Sequence, residues 1–139
     1  MTRRALLLAC AAIPLCADDA QQVWDLFTDL AGALSDGKAE EFLSYFDRAM
    51  PGYRDLTTEV TALVLEADIN SSLELLSDEG TGTARTVEVD WYLHLVGKQD
   101  AAPSTQRRER VHCSLSKQGK KWRITALEPL SFFSPPMWK

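Results

Sequence analysis

Residues 87–95 read VEVDWYLHL, so apolar and polar side chains alternate almost without interruption. Successive side chains of a β-strand point to opposite faces, and this segment therefore predicts a strand with one apolar face and one polar face. An antiparallel sheet made of such strands must cover its apolar face with other elements. The segments on either side indicate what those elements are.

Three neighbouring segments also have patterns typical of strands. Residues 78–83, DEGTGT, and residues 117–120, KQGK, predict hairpin turns between them. The expected strands are Asn70–Leu76, Arg85–Val96, Gln106–Ser116 and Lys121–Glu128. Their expected inward side chains are Leu73, Leu75, Val87, Val89, Trp91, Leu93, Leu95, Val111, Cys113, Leu115, Trp122, Ile124 and Ala126.

Apolar side chains recur at helical spacing in three segments before the first strand. We expect helices over about Asp19–Leu34, Lys38–Phe46 and Leu56–Ala67. This order predicts an α+β fold, in which a cone-shaped curved antiparallel sheet of about four strands packs on three N-terminal helices. The apolar tail, residues 129–139, is expected to plug the mouth of the cone or to pack on the sheet edge, with contact to a membrane or partner as a further alternative.

The first 17 residues have the pattern of an export signal. Arg3 and Arg4 precede an apolar run, Ala5–Leu15, and the small residue Ala17 marks a candidate cleavage point. The run is shorter than the roughly 20 apolar residues that span a bilayer. We expect a signal peptide over residues 1–17, one domain over 18–139, no transmembrane segment, and a periplasmic or secreted location. A buried amino-terminal helix of a cytosolic protein is the alternative.

Removal of this segment would change the formal net charge from −5 to −7, because Arg3 and Arg4 leave with it. An acidic domain repels phosphate backbones, which argues against nucleic acid as a partner. Of the three cysteines, Cys113 alone would remain, so the sequence predicts no internal disulfide. Lipid anchoring at Cys16 or Cys10 is an alternative fate of the amino terminus, although neither has the full pattern that lipidation requires.

The chain resembles the nuclear transport factor 2-like superfamily, which includes SnoaL-like and ketosteroid isomerase-like proteins. Two local sequences carry the resemblance beside the element order: a short helix ending in Tyr45-Phe46-Asp47, and the strand sequence GKKWRI at 119–124. The resemblance covers about Ala20–Phe133 and suggests an exported bacterial member. Because this superfamily contains isomerases, dehydratases, polyketide cyclases, transport factors and non-catalytic modules, it implies the fold and leaves the function open.

The catalytic residues of the best-known enzymes in this superfamily are not matched. A ketosteroid isomerase would need a tyrosine on the first helix and a carboxylate just after the second. The first helix has no tyrosine, and residues 48–53, RAMPGY, contain no acid. A scytalone dehydratase would need inward histidines, whereas His94 and His112 fall on the polar face. The resemblance therefore implies no catalytic set here.

Aromatic and polar residues near the expected cone mouth are candidates for a pocket that binds a small apolar ligand. They are Trp24, Tyr45, Asp47, Met50, Tyr53, Trp91 and Trp122. Simple core packing is the alternative explanation for the aromatic members. Asp47 is the candidate catalytic residue, because burial near aromatic rings would raise its pKa and suit acid–base chemistry. A helix-ending role, with bonds to backbone amides or arginines, is the alternative for Asp47.

Charged residues of the second and third strands are expected to face each other on the outer side of the sheet. Glu88, Asp90, Tyr92 and His94 lie on one strand, and Arg108, Arg110 and His112 lie on the next. Antiparallel pairing predicts ion pairs between them, with metal binding by the histidines and acids as the alternative. We expect no metal site and no cofactor. Relatives that dimerise through this face imply a homodimer.

These observations favour an exported, non-catalytic domain that binds a small apolar ligand or a protein partner in or around a cone-shaped pocket. One alternative is a lyase or isomerase of the polyketide cyclase type, with Asp47 as acid–base and Tyr45 or Tyr53 assisting. The other alternative is a structural module that acts in dimerisation or assembly through the polar sheet face.

Overall fold

Three helices precede four strands in the computed structural model, which describes residues 2–99 and 103–137, with side chains from Asp19 onward. This order confirms the predicted α+β class. The elements are α1 (Thr2–Ser35), α2 (Ala39–Leu43), α3 (Tyr53–Glu66), β1 (Ala67–Gly80), β2 (Ala84–Gly97), β3 (Ser104–Gln118), β4 (Lys121–Glu128) and a 3₁₀ turn (Leu130–Phe133). Within these residues, no helix combines the length and the apolar character that crossing a membrane requires.

The four strands form one curved antiparallel sheet in the order β1-β2-β3-β4. Trp91 of β2 lies opposite Leu73 of β1 and Glu109 of β3. The predicted alternation of β2 is confirmed, because its inward side chains are fully buried: Val87, Val89, Trp91, Leu93 and Leu95. The inward face of β2 is therefore part of the core, and the helices cover it.

A β-bulge in the middle of β4 changes which residue is buried. Ser114 of β3 pairs with Ala126 and Leu115 pairs with Ile124, so Thr125 has no partner on β3. An extra residue inverts the alternation that follows it. Leu127 is buried in consequence, and the expectation that Ala126 points into the core is wrong.

The first helix differs from its expected start. It begins at Thr2 instead of near Asp19 and runs unbroken to Ser35. The side chains of the proposed signal segment, residues 1–17, lie outside the described part of the chain, so the signal peptide stays a prediction. Asp19, the first residue with a described side chain, accepts a bond from Lys117 Nζ at 3.2 Å and so ties α1 to β3.

The second helix ends at Leu43, earlier than expected, because the next residues pair with β4. The backbone N–H of Ile124 donates to the Tyr45 carbonyl at 2.9 Å, and the N–H of Asp47 donates to the Ile124 carbonyl at 2.8 Å. Phe46 thereby makes a parallel bridge to Ile124. This segment covers the outer edge of β4, which would otherwise present unpaired backbone groups.

The third helix starts after a glycine that no other residue replaces easily. Gly52 has φ +80°, in the left-handed region that favours glycine. A Cβ atom at this position would collide with the side chain of Leu130 in the 3₁₀ turn. The close approach of Gly52 and Leu130 joins the start of α3 to the carboxyl-terminal tail.

Aromatic rings from the helices, the sheet and the tail fill the concave side of the sheet. Phe133 is fully buried, with its ring centroid 5.1 Å from that of Trp91 and 5.3 Å from that of Phe42. The ring of Phe132 meets that of Phe133 edge to face, with centroids 5.2 Å apart. The guanidinium of Arg107 donates to the Phe132 carbonyl at 2.8 Å. Of the three alternatives for the tail, the plug is the one that these contacts support.

Two serines fix the position of Trp91 beneath this plug. The indole Nε1–H donates to Ser71 Oγ at 2.8 Å. The backbone N–H of Ser71 donates to Ser35 Oγ at 2.9 Å, which links the edge of β1 to the end of α1. A buried indole donor without an acceptor would destabilise the fold, so this chain of bonds matters for stability.

We expect Ser71→Ala to lower the free energy of unfolding by about 1–3 kcal/mol, because it leaves the buried Trp91 N–H without its acceptor. Chemical denaturation measures the change. Ser72→Ala is the matched control, since Ser72 is the exposed neighbour on the same strand. Equal stabilities of the two variants would contradict the proposed role of the Ser71 hydroxyl.

Candidate functional site

The interior of the cone is occupied by side chains, so the candidate sites lie on the outside of the plug. Trp91, one of the predicted pocket residues, is fully buried in the core and lines neither of the two clefts described below. Met50 is also buried. Trp24, on α1, is 38% exposed and borders neither cleft. The remaining four predicted residues, Tyr45, Asp47, Tyr53 and Trp122, divide between these clefts.

The larger cleft, here called the α3 cleft, has a volume of about 900 Å³ and lies between α2, α3 and β4. Its apolar part consists of Leu43, Phe46 and the ring of Tyr53. Its polar part is larger: Glu40, Ser44, Asp47, Arg48, Thr57, Gln118 and Arg123. The cleft therefore combines an apolar patch with two guanidinium groups and two carboxylates, and it is more polar than the predicted pocket.

Asp47 lies in the α3 cleft with both carboxylate oxygens engaged. Oδ1 accepts from the backbone N–H of Ala49 at 2.9 Å, and Oδ2 accepts from Gln118 Nε2 at 2.9 Å. The Ala49 bond, the Gln118 bond and the positive charge of Arg123 lower the pKa of Asp47 below its ordinary value of 3.8. The expectation of a raised pKa is therefore wrong, because Asp47 closes a backbone turn instead of entering an apolar pocket.

Arg123 connects the α3 cleft to a second cleft. Its guanidinium donates to the carbonyl of Ser44, the residue that follows α2. Both residues border both clefts. On β4, Arg123 lies between Trp122 and Ile124, whose inward burial the alternation predicted. The same alternation places Arg123 away from the core, but it gives no sign that Arg123 reaches α2.

The second cleft, here called the hairpin cleft, has a volume of about 450 Å³ and lies between α1 and the β3–β4 hairpin. Tyr45 is half-buried there, and burial, with the carboxylates of Asp29 and Glu41, raises its pKa above the ordinary value of 10.0. Trp122 is 5% exposed, and its indole N–H has no acceptor among the described residues. Lys117 Nζ lies 5.8 Å from the centroid of the Trp122 ring.

The outer face of the sheet contains the predicted ladder of ion pairs. Arg108 binds the Asp90 carboxylate at 2.6 Å, and Arg110 lies 3.7 Å from Glu88. The Arg108 guanidinium lowers the pKa of Asp90 below its usual range. His112 lies 4.0 Å from Glu88. No group of three or more metal-ligating side chains is present in the part of the chain that the structure describes, so the metal alternative gains no support there.

Cys113 is a core residue, as its alternation with Val111 and Leu115 predicts. It is 1% exposed, and burial raises the pKa of its thiol far above the usual range. A thiol in this environment stays protonated and is a poor nucleophile. Cys113 therefore contributes packing to the core and no chemistry to either cleft.

Several cleft residues were not expected from the sequence. Gln118 belongs to a predicted turn, while Arg48 and Thr57 carry no motif. They meet in the α3 cleft because residues 45–47 return to β4 after a short α2. One sequence feature could have pointed to these cleft residues. Polar residues are concentrated in the turn of the β3–β4 hairpin and in the loop after α2.

The sequence matches no protein-family model and no curated protein. Solved structures, in contrast, resemble the chain over most of its length. One is a conserved protein from Planctomyces limnophilus DSM 3776, with a TM-score of 0.73, 7% sequence identity, and coverage of 80% of this chain and 94% of the other. Another is a nuclear transport factor 2-like superfamily protein from Salmonella enterica, with a TM-score of 0.65, 13% identity, and coverage of 81% and 89%.

A third similar structure is the type 3 hexachlorocyclohexane dehydrochlorinase from Novosphingobium barchaimii LL02. Its TM-score is 0.64 at 12% identity, with coverage of 81% of this chain and 86% of the other. These similarities confirm that the chain has the nuclear transport factor 2-like fold. At such low identities they concern the fold alone, because the same fold carries unrelated functions.

We expect Asp47→Asn to be less stable than the wild type at neutral pH and to approach it in acid. A carboxyl group whose pKa is lowered on folding stabilises the protein above its unfolded pKa, and this contribution disappears as the pH falls through the folded pKa. The difference should therefore shrink below the ordinary value of 3.8. Chemical denaturation across this pH range measures it.

The matched control is Asp36→Asn, an exposed carboxylate in the turn after α1 that lies outside both clefts. It should not reproduce the pH-dependent loss of stability. A destabilisation by Asp47→Asn that is unchanged in acid would contradict the assignment, because it would arise from packing and not from the charge.

Proposed function

We propose that this protein is a binding domain whose ligand is a small molecule with an apolar body and an anionic group, held in the α3 cleft. One observation carries this proposal: a cleft of about 900 Å³ combines Leu43, Phe46 and Tyr53 with the guanidinium groups of Arg48 and Arg123. Ligand sites commonly pair an apolar lining with a few polar groups that set orientation. The sequence predicted an apolar ligand. The two arginines favour a ligand that carries an anionic group as well.

The chemistry of Asp47 supports binding over catalysis in this cleft. Its two oxygens already accept bonds from Ala49 and Gln118, and its pKa is lowered. A general acid or base needs a pKa near the working pH and an oxygen free to reach the substrate. The Asp47 carboxylate meets neither need, so the lyase or isomerase alternative gains no support from this residue.

The proposed partner is a second copy of the chain, bound through the outer face of the sheet. The ion pairs Asp90–Arg108 and Glu88–Arg110 leave the charges of this face largely compensated. Tyr92 is half-buried among them and borders a shallow pocket of about 230 Å³. Compensated charges lower the desolvation cost of self-association, and a tyrosine is a common anchor in interfaces.

The anionic dye 8-anilinonaphthalene-1-sulfonate, which combines aromatic rings with a sulfonate, is a suitable probe of the α3 cleft. We expect it to bind, to shift the backbone NMR signals of residues 43–57, and to bind up to about fivefold more weakly to Arg48→Gln, the upper range for an exposed ion pair. Fluorescence titration measures the affinity.

The control for this titration is Arg54→Gln, which removes an exposed arginine of α3 outside the cleft. Its affinity for the dye should equal that of the wild type. An equal loss in both variants, or signal shifts confined to other parts of the sheet, would show that the dye reports general charge or another surface, and would remove support for the α3 cleft.

We expect the protein to be a dimer by sedimentation and the Tyr92→Arg variant to be a monomer. The substitution puts an uncompensated charge at the centre of the proposed interface, where burial is costly. Thr58→Arg, on the exposed side of α3, is the matched control and should remain a dimer. A wild-type monomer at high concentration would refute the proposed interface.

A further inference from the structure

The hairpin cleft has two walls of opposite charge. One wall is formed by α1 and α2 and carries three carboxylates: Asp25, Asp29 and Glu41. The other is formed by the β3–β4 hairpin and carries three cations: Lys120, Lys121 and Arg123. The cleft touches the α3 cleft at Ser44 and Arg123, but its other residues and its charge pattern are its own.

Two carboxylates of the acidic wall act on the side chain of Tyr45. Burial raises the pKa of the Tyr45 hydroxyl, and the carboxylates of Asp29 and Glu41 raise it further. Asp25 lies one helical turn before Asp29 and therefore on the same face of α1. Gln21 Nε2 donates to the Asp25 carboxylate at 2.9 Å. Tyr45 lines the same cleft as Asp29 and Glu41.

The basic wall is anchored at one point and open at the others. The Arg123 guanidinium is held by the Ser44 carbonyl. Lys120 and Lys121 are exposed, and within the described part of the chain neither ammonium group takes part in a hydrogen bond or an ion pair. Their ammonium groups are thus free to bind an anion.

The two walls face each other without pairing. No nitrogen of the basic wall lies within 4.0 Å of an oxygen of the acidic wall among the described residues. A lone cation or a lone anion in this cleft would gain from one wall and be repelled by the other. A molecule with both charges, several bonds apart, would gain from both.

We propose that the hairpin cleft binds a small zwitterion, with its ammonium group beside Asp29 and Glu41 and its anionic group beside Lys120 and Lys121. The volume of about 450 Å³ is within the range of small-molecule sites. The ring of Tyr45 favours a substituted ammonium, through the attraction of a cation to an aromatic face. The phosphocholine group has this chemistry, either as a free molecule or as a lipid headgroup.

Calorimetric titration with phosphocholine, choline and inorganic phosphate tests the proposal. Phosphocholine should bind. Choline and phosphate should each bind at least about fivefold more weakly, because each can interact favourably with only one of the two charged walls. Absence of phosphocholine binding would overturn the proposal. So would choline or phosphate binding as tightly as phosphocholine, since one wall would then account for the affinity.

Two pairs of variants locate the site. Asp29→Asn should weaken phosphocholine binding while Asp36→Asn, outside the cleft, should not. Lys121→Gln should weaken it while Lys38→Gln, an exposed lysine outside the cleft, should not. Losses of up to about fivefold are expected for each exposed charge. Equal losses in the controls would place the binding elsewhere and overturn the assignment.

Sedimentation with phosphatidylcholine vesicles distinguishes the two sources of the ligand. Vesicle binding that free phosphocholine displaces supports a lipid headgroup, and free binding without vesicle binding supports a soluble zwitterion. Vesicle binding that free phosphocholine fails to displace would overturn the site. The result is independent of the α3 cleft, because the dye and the variants that test that cleft are different.

Discussion

The packing of Phe132 and Phe133 against Trp91 is the contact on which the rest of the structure depends. Aromatic pairs contribute about 0.5–1.5 kcal/mol each beyond the burial of their surface. Here three such rings meet at the point where the sheet, the helices and the tail converge. Ser71 holds the Trp91 indole from below, and Arg107 holds the Phe132 carbonyl at the rim. The carboxyl-terminal tail is therefore part of the hydrophobic core, although it follows all four strands in the sequence.

Side chains fill the concave side of the sheet, and both described clefts lie outside this packing. In both clefts the short α2 and the hairpin between β3 and β4 meet at the Arg123–Ser44 bond. The α3 cleft offers apolar surface with arginines, whereas the hairpin cleft offers opposed charges around Tyr45. The two clefts share a border and differ in chemistry, so the described residues present two kinds of surface. The fold similarity to a dehydrochlorinase does not bear on this difference, since it lies in side chains.

Much of the fold could be predicted, because alternation and helical spacing are properties of the local sequence. β4 was expected at Lys121–Glu128 and has those bounds. The burial of Leu127 in place of the expected Ala126 could not be predicted, because the bulge that causes it depends on the register between β3 and β4. The candidate sites were harder to predict than the fold. The pKa of Asp47 was expected to rise, and this expectation was wrong. The turn that binds its carboxylate forms where residues 45–47 pair with β4, a contact that the local sequence does not show.

The pairing of residues 45–47 with β4 affects how readily the protein aggregates at high concentration. The backbone of Ile124 is occupied by Tyr45 and Asp47, so a foreign strand finds no template at that position of β4. The opposite margin, β1, is closed at Ser71 by Ser35, and beyond it Leu76 is 42% exposed. Leu76 lies at a β-bulge in this edge strand, and a charged residue or a proline in its place would lower the tendency of the edge to pair with another chain.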